Sequence, residues 1–439
     1  WARALAEPGA AAAFLLPDPA LARSLAPAAT DAVAAAEALA DGFTLETLEV
    51  LTLLRSPMVA TKEREAKAAL EQFDQAEQID AILRRYASLT GAGMGAAGAM
   101  ARPADFPFPG VLALKGRIVA ETVRAAREEL EATRRDTVTM ARKAHWELSY
   151  VTSAADVTAD MLALLENLAA SVSARYEAGE TSFQDVVRVR IELEKAREEL
   201  RTLAEERRNM EAEIRGLLAL PAEAAIGVPA RSEAAGGLPD QRSVEALALE
   251  RRQEVRAAEA MIARMGLMLE MVETMTSPGF DLGLSAPPAG LGLAAAAGSG
   301  AMGAEAPGGG AAAPPARPLY AGDEAYVREF QQRFATLRSE RDAVRAATLV
   351  GVRGAWFALD RARREAALYG ERVLPLSQSA IEASLRGYTA GRVMFSDLLE
   401  SYTGWLEAGL ARERARADAG SARAALDAAV GVSGAGITP

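Results

Sequence analysis

The chain has 439 residues, long enough for two ordinary domains or for one elongated repeat protein. It has no cysteine, which excludes disulfides, thiolate nucleophiles and thiolate metal sites. A net charge of −11, without a basic stripe interleaved with aromatics, excludes an obvious nucleic-acid surface, and 50% hydrophobic residues with only 5% aromatics favour long helices over a β-rich core.

In chain order, residues 1–42 read as an extended or irregular segment. The chain begins at Trp1 without an initiator Met, which fits a removed targeting segment. No run of about 18 apolar residues is seen, so no transmembrane helix is predicted. A first helical repeat is expected over 43–220, with a Gly/Ala-rich insertion at 88–111. A Pro/Gly/Ala-rich linker follows at 221–242, then a second helical repeat over 243–432 with a Gly/Ala/Pro-rich insertion at 277–320, and a tail at 433–439.

The division rests on internal repetition. "RYEAGETSFQDVV" (Arg175–Val187) returns as "GYTAGRVMFSDLL" (Gly387–Leu399), so that Tyr176, Ala178, Gly179, Phe183 and Asp185 match Tyr388, Ala390, Gly391, Phe395 and Asp397 at an offset of 212. Upstream, "AHWEL" (Ala144–Leu148) matches "AWFAL" (Ala355–Leu359) at an offset of 211, so one residue is gained or lost in between. Further back, "LLRSPMV" (Leu53–Val59) matches "LERRQEV" (Leu249–Val255).

Each copy reads as a very long helix, a tight glycine turn and a second long helix. No proline occurs between Gly110 and Tyr176, and its counterpart from about Asp323 carries Pro375 as the expected kink. After the first turn, Val186, Leu193, Leu200 and Ile214 keep one heptad position, while Val189, Ala196, Leu203, Met210 and Leu217 keep another. Gly179 and Gly391 supply the positive φ that ends the first helix of each hairpin. These features give a mainly α architecture of long antiparallel coiled-coil helices.

Tempting chemistries fail. "GMGAAG" (Gly93–Gly98) fits G-x-G-x-x-G, but no apolar strand precedes it. His145 is the only histidine, and no cysteine or second histidine completes a catalytic or zinc set. A packed or solvent-facing helix residue is expected there. Met261, Met268 and Met275 recur every seven residues with Met265 beside them. Such a stripe is ordinary core filler, or a thioether set that would select Cu(I) or Ag(I).

Taken together, the repeated tips, "TLETLEVLTLLRSPMV" (Thr44–Val59) and the "AHWEL"/"AWFAL" pair resemble the outer-membrane efflux proteins, the TolC-like family, from Phe43 to Val432. The resemblance implies a homotrimer whose helices form a twelve-helix α-helical tunnel in the periplasm of a Gram-negative-type envelope, crowned by an outer-membrane barrel. It implies a passive, non-enzymatic exit duct without cofactor, whose tips dock the periplasmic adaptor of an inner-membrane pump. Tyr176, Ala178, Gly179, Tyr388, Ala390 and Gly391 would be tip contacts. Asp397 and Glu400 would form acidic rings at the tunnel entrance. Asp185 and Tyr388 match a gate link, although Val393 stands where relatives carry the joining Arg. Of the two insertions only "FDLGLS" (Phe280–Ser285) alternates as a barrel strand would, so little or no β-barrel is expected. Alternatives are a non-conducting periplasmic scaffold, or a Cu(I)/Ag(I) efflux component using the methionine stripe.

Overall fold

The computed structural model describes residues 13–15, 18–72, 108–231, 237–276 and 323–433. Residues 88–107 and 277–320, the heart of the two insertions, lie outside these, as do 1–12 and 434–439. The described residues are helical almost throughout: α1 (Pro19–Ser24), α2 (Ala32–Ala40), α3 (Leu45–Arg55), α4 (57–72), α5 (Phe108–Glu177), α6 (Phe183–Leu217), α7 (Gln241–Arg251), α8 (Gln253–Thr276), α9 (Asp323–Leu368), α10 (Leu374–Thr389) and α11 (Phe395–Val430). The β pairing among them is an isolated parallel bridge, Phe43 to Pro229.

Local chemistry explains the boundaries. The Thr44 hydroxyl accepts the Thr47 N–H and opens α3. Pro57 then forbids a helical residue before it, and Ser56 sits at φ −58, ψ 125. The matched position, Arg252, also separates two helices, α7 and α8, though Gln253 stands where Pro57 does. At its end α11 stops at Gly431, whose φ of +89 only glycine adopts freely.

α5 runs without interruption through "AHWEL" and up to the first tip. By length and composition it also holds one 18-residue window with mean hydropathy 1.2, although it contains no unbroken run of 18 apolar residues. Its counterpart is not continuous. α9 ends at Leu368, a five-residue π turn covers Tyr369–Val373, and α10 begins at Leu374 with Pro375 in its first turn. A π turn is how a helix absorbs one extra residue without rotating the turns beyond it. It therefore accounts for the change of offset from 211 to 212, and the expected proline kink is a π turn just ahead of the proline.

Two compact units cut across the repeats, each drawing on both copies. One comprises Ala13–Ala60, Thr133–Leu249 and Thr348–Pro439. In its first core Ala35 and Leu39 of α2, Phe43 of the connection after it, and Leu48 and Leu51 of α3 pack with Ala141, Ala144 and Leu148 of α5, with Ile214 of α6 and with Leu218 just past its end. A second core joins α5 (Met161, Leu165, Leu168, Val172) to α6 (Val186, Val189, Leu193, Ala196) and to Tyr388, Phe395, Leu398 and Tyr402. The heptad stripe of α6 is thus its buried face. A third core unites α7, α9 and α11 through Val244, Ala248, Val352, Leu359, Leu426 and Val430.

The other unit comprises the described residues of Thr61–Ala132 and Glu250–Ala347. Leu114 and Ile118 of α5 pack there with Leu267, Met268, Met271 and Val272 of α8 and with Tyr326 and Phe330 of α9.

One contact in the first unit depends on the absence of a side chain. A Cβ at Gly420 of α11 would overlap the indole of Trp146 of α5. By helix propensity alone Gly420→Ala should stabilise by about 1 kcal/mol. Overpacking of a closed core costs about 1–3 kcal/mol and reverses that sign. Thermal unfolding of Gly420→Ala is expected to show a lower midpoint than the parent; an unchanged or higher one would mean that Trp146 moves aside freely.

Candidate functional site

The two tips are built alike. At the first, Glu180 N–H donates to the Arg175 carbonyl (2.8 Å) and Gly179 N–H to that of Tyr176 (2.9 Å). At the second, Arg392 N–H donates to the Gly387 carbonyl (2.8 Å) and Gly391 N–H to that of Tyr388 (3.0 Å). These are two Schellman closures with glycine at the left-handed position, φ +76 and +69. Among the described residues nothing lies within 4 Å of where a Cβ would stand on either glycine, so the requirement is conformational and not one of space.

Beyond the glycines the copies diverge. Ser182 caps α6 in a capping box: its hydroxyl accepts the Asp185 N–H, and the Asp185 carboxylate takes the Ser182 hydroxyl (2.9 Å) and the Thr181 hydroxyl (2.8 Å). Met394 stands where Ser182 does and supplies no side-chain cap. Asp397, released from that duty, accepts from the Ser396 hydroxyl at 3.1 Å and is exposed, as is Glu400 one turn on. Both carboxylates share one helix face.

The aromatic pairs diverge as well. Tyr388 and Phe395 are buried (7% and 4% exposed), ring centroids 5.8 Å apart, with the Arg175 guanidinium 4.7 Å over the Tyr388 ring. Tyr176 and Phe183, the matched pair, stand 5.7 Å apart but are 45% and 59% exposed. Ala178 and Ala390 are exposed at the turns. Asp185 and Tyr388 are not brought together: the carboxylate serves its own cap, and the buried Tyr388 hydroxyl has no hydrogen-bond partner among the described residues.

The methionine stripe is divided. Met268 and Met271 are buried in the core of α5, α8 and α9, and Met265 packs against it. Met261 is 37% exposed, its sulfur 3.7 Å from the Arg264 guanidinium. The side chain of Met275 lies outside the described residues. Among those residues no group of three or more His, Cys, Asp or Glu side chains could hold a metal ion.

A buried ion cluster escaped the sequence, whereas the burial of His145 decides between the two readings left open there. Arg142 of α5 donates to Glu49 of α3 (2.6 Å), Asp427 of α11 (2.9 Å) and the Ser433 hydroxyl (2.7 Å), with Phe14 against its guanidinium. Asp427 also accepts from Arg423 at 3.0 Å. Burial pushes the Glu49 carboxyl above the usual carboxylate range, against the pull of Arg142. Glu49 and Arg142 lie 93 positions apart and Arg142 and Asp427 285 apart, so no local pattern could have paired them. His145, one turn on, is fully buried between Phe43 and Trp146, and among the described residues neither ring nitrogen has a partner. Burial, and secondarily the Arg416 charge, lower its pKa to about 4.

No family model matches the sequence, and no curated relative is found by sequence. Solved structures do match. The outer membrane protein VceC of Vibrio cholerae is 14% identical, with 89% of this chain and 96% of that chain covered at a TM-score of 0.62. A membrane protein from Pseudomonas aeruginosa is 15% identical, with 90% and 95% covered at a TM-score of 0.64. The MtrE outer membrane channel of Neisseria gonorrhoeae is 14% identical, with 88% and 89% covered at 0.62. At these identities the likeness establishes the architecture: the chain has the TolC-like fold of the outer-membrane efflux channels.

Proposed function

We propose that this chain is the passive exit duct of a tripartite efflux or secretion system, assembled as a homotrimer in the periplasm and outer membrane of a Gram-negative-type envelope. The observation that carries this reading is a face that α9 leaves open. Within one chain, α11 covers α5: Gly420 faces Trp146, the Arg414 guanidinium lies 4.9 Å over Tyr150, and Gly409 lies against Val157. Shifted by the offset of 211, these three α5 positions become Phe357, Arg361 and Leu368 of α9. Phe357 is 54% exposed and Leu368 44%, and Arg361 is exposed too. Shifted by 212, the covering positions of α11 become Arg197, Thr202 and Arg208 of α6, all exposed. A second copy that laid its α6 on this α9 would repeat the contact already made inside the chain. Heterologous contacts of this kind close into a ring, and the TolC-like fold supports three copies.

The tips support adaptor docking. Tyr176, Phe183 and Met394 present apolar surface at the hairpin ends, where Gly179 and Gly391 hold the turns, and such surface marks a protein contact. In a threefold assembly Asp397 and Glu400 would stack two carboxylate rings and favour cations at the entrance. Pumping energy would come from the inner-membrane partner.

Light scattering of Phe357→Asp tests the seam. The parent is expected to have three times the mass of one chain, Phe357→Leu to keep it, and Phe357→Asp to fall to a single chain, because a charge buried without a partner is not tolerated. A Phe357→Asp protein that still assembles would remove the seam from α9.

A further inference from the structure

His145 is an ionisable group set among partners that cannot take its charge. Its imidazole meets Phe43 and Trp146 edge-on, at 5.8 and 5.6 Å between ring centroids. The charges on the surrounding elements are already matched. On α11 Glu413 lies 3.4 Å from both Arg412 and Arg416, and on α6 Glu211 holds Arg207 and Arg215. On α5 Arg142 is joined to Glu49 of α3, and Glu147 to Arg414 of α11. Glu37 of α2, and Asp41 and Glu46 on either side of Phe43, are exposed, as is Lys143, while residues 224–230 carry no charge. A proton added to the ring would therefore meet apolar rings and the Arg416 charge, with no carboxylate waiting for it among the described residues.

The two aromatic neighbours are not equally held. Trp146 is seated on Gly420, with α11 behind it. Phe43 belongs to the short connection between α2 and α3, and it carries part of the linker between the repeats. Its carbonyl accepts the Ala230 N–H (2.8 Å), it bridges Pro229, and the Leu39 carbonyl accepts the Gly227 N–H (2.8 Å). A Cβ at Gly227 would overlap the carbonyl oxygens of Leu39 and Ala40 and the nitrogen of Gly42, so the linker backbone lies directly on that connection. Val228, the next residue, is half-exposed. Two backbone bonds and an isolated bridge open more readily than the packing of α5 on α11.

We infer that His145 and Phe43 form an acid-released clasp: a proton on the imidazole drives Phe43 away and frees linker residues 227–230 from the connection between α2 and α3, while the long helices stay packed. The sign follows from burial. The closed clasp holds the His145 pKa at about 4, whereas a ring that water reaches returns toward 6.5. Closure is therefore fully favoured above pH 6.5 and weakens as pH falls from there to about 4. Ile226 is buried in the first core, so the release begins after it. The clasp lies within one chain and works whether or not the chain conducts.

Hydrogen exchange of the full-length protein reads the clasp directly. From pH 7.5 to 5.5, after correction for the intrinsic rate, the amides of Gly227 and Ala230 are expected to lose about tenfold in protection while those of α6 keep theirs. His145→Leu should remove this dependence. Because His145 is the only histidine, its titration gives a single magnetic-resonance signal. Gly227→Ala, which forces the linker off, should raise the midpoint of that titration by about one pH unit or more, with the helix signal kept. Should either variant lose helix signal, the parent decides alone: unchanged protection at Gly227 and Ala230, or an equal loss in α6, overturns the clasp. So would a dependence that survives in a folded His145→Leu, or a midpoint that Gly227→Ala leaves in place.

Discussion

Arg142→Ala is expected to destabilise the protein by about 3–5 kcal/mol, the cost of leaving buried carboxylates without their countercharge. Glu49 suffers most. Its carboxylate is 8% exposed and takes its guanidinium bond from Arg142, whereas Asp427 retains Arg423. Lysine should not rescue, because a single ammonium cannot serve Glu49, Asp427 and Ser433 along the three directions that the planar guanidinium supplies. Adding Glu49→Gln to Arg142→Ala should recover part of the loss, since a neutral amide is cheaper to bury than an unpaired carboxylate. Urea unfolding of the parent, Arg142→Ala, Arg142→Lys and the double variant checks this. A loss below about 1 kcal/mol in Arg142→Ala would mean that water reaches the carboxylates. The cluster ties α3, α5 and α11 to Phe14 and Ser433, so its loss should loosen both ends of the described chain at once.

His145 makes the same region sensitive to acid. Its folded pKa of about 4 lies below the ordinary 6.5, so the unfolded chain binds a proton that the folded chain refuses. The associated stability is fully present above pH 6.5 and is lost progressively as pH falls from 6.5 to about 4. At about 1.4 kcal/mol per unit, the loss amounts to roughly 3 kcal/mol. His145→Leu should remove this contribution to the slope. It should also raise stability at neutral pH by about 1–3 kcal/mol, because it deletes two buried nitrogens that have no partner among the described residues. Unfolding midpoints at pH 7.5, 5.5 and 4.5 decide the matter. A slope that persists unchanged in His145→Leu would show that His145 is not its source; Glu49, whose carboxyl burial raises, would give the opposite sign.

What the sequence could tell depended on separation along the chain. The tips were legible to the residue, because a Schellman turn needs glycine at one position and the repeat showed that position twice. The seam of α6 was legible because its apolar positions recur every seven residues. Pro375 announced an interruption, but residue type alone could not distinguish a kink from a π turn. Only the slip of offset from 211 to 212 carried that information. The cap at Ser182 and its loss at Met394 were also written in the sequence, yet the consequence for Asp397 became visible only when the Asp185 carboxylate was found folded back on its own turn. Arg142, Glu49 and Asp427 left no local trace at all. Burial of His145 was one of two readings open at the sequence level, and its helix neighbours Trp146 and Leu148 could not say which face looked inward.

Projection averages of the purified assembly, taken by electron microscopy down its symmetry axis, test the central claim most directly. The account predicts a threefold ring of helices around a solvent-filled centre. A filled bundle without a central opening, or a particle of any other symmetry, would contradict it and favour a scaffold that conducts nothing.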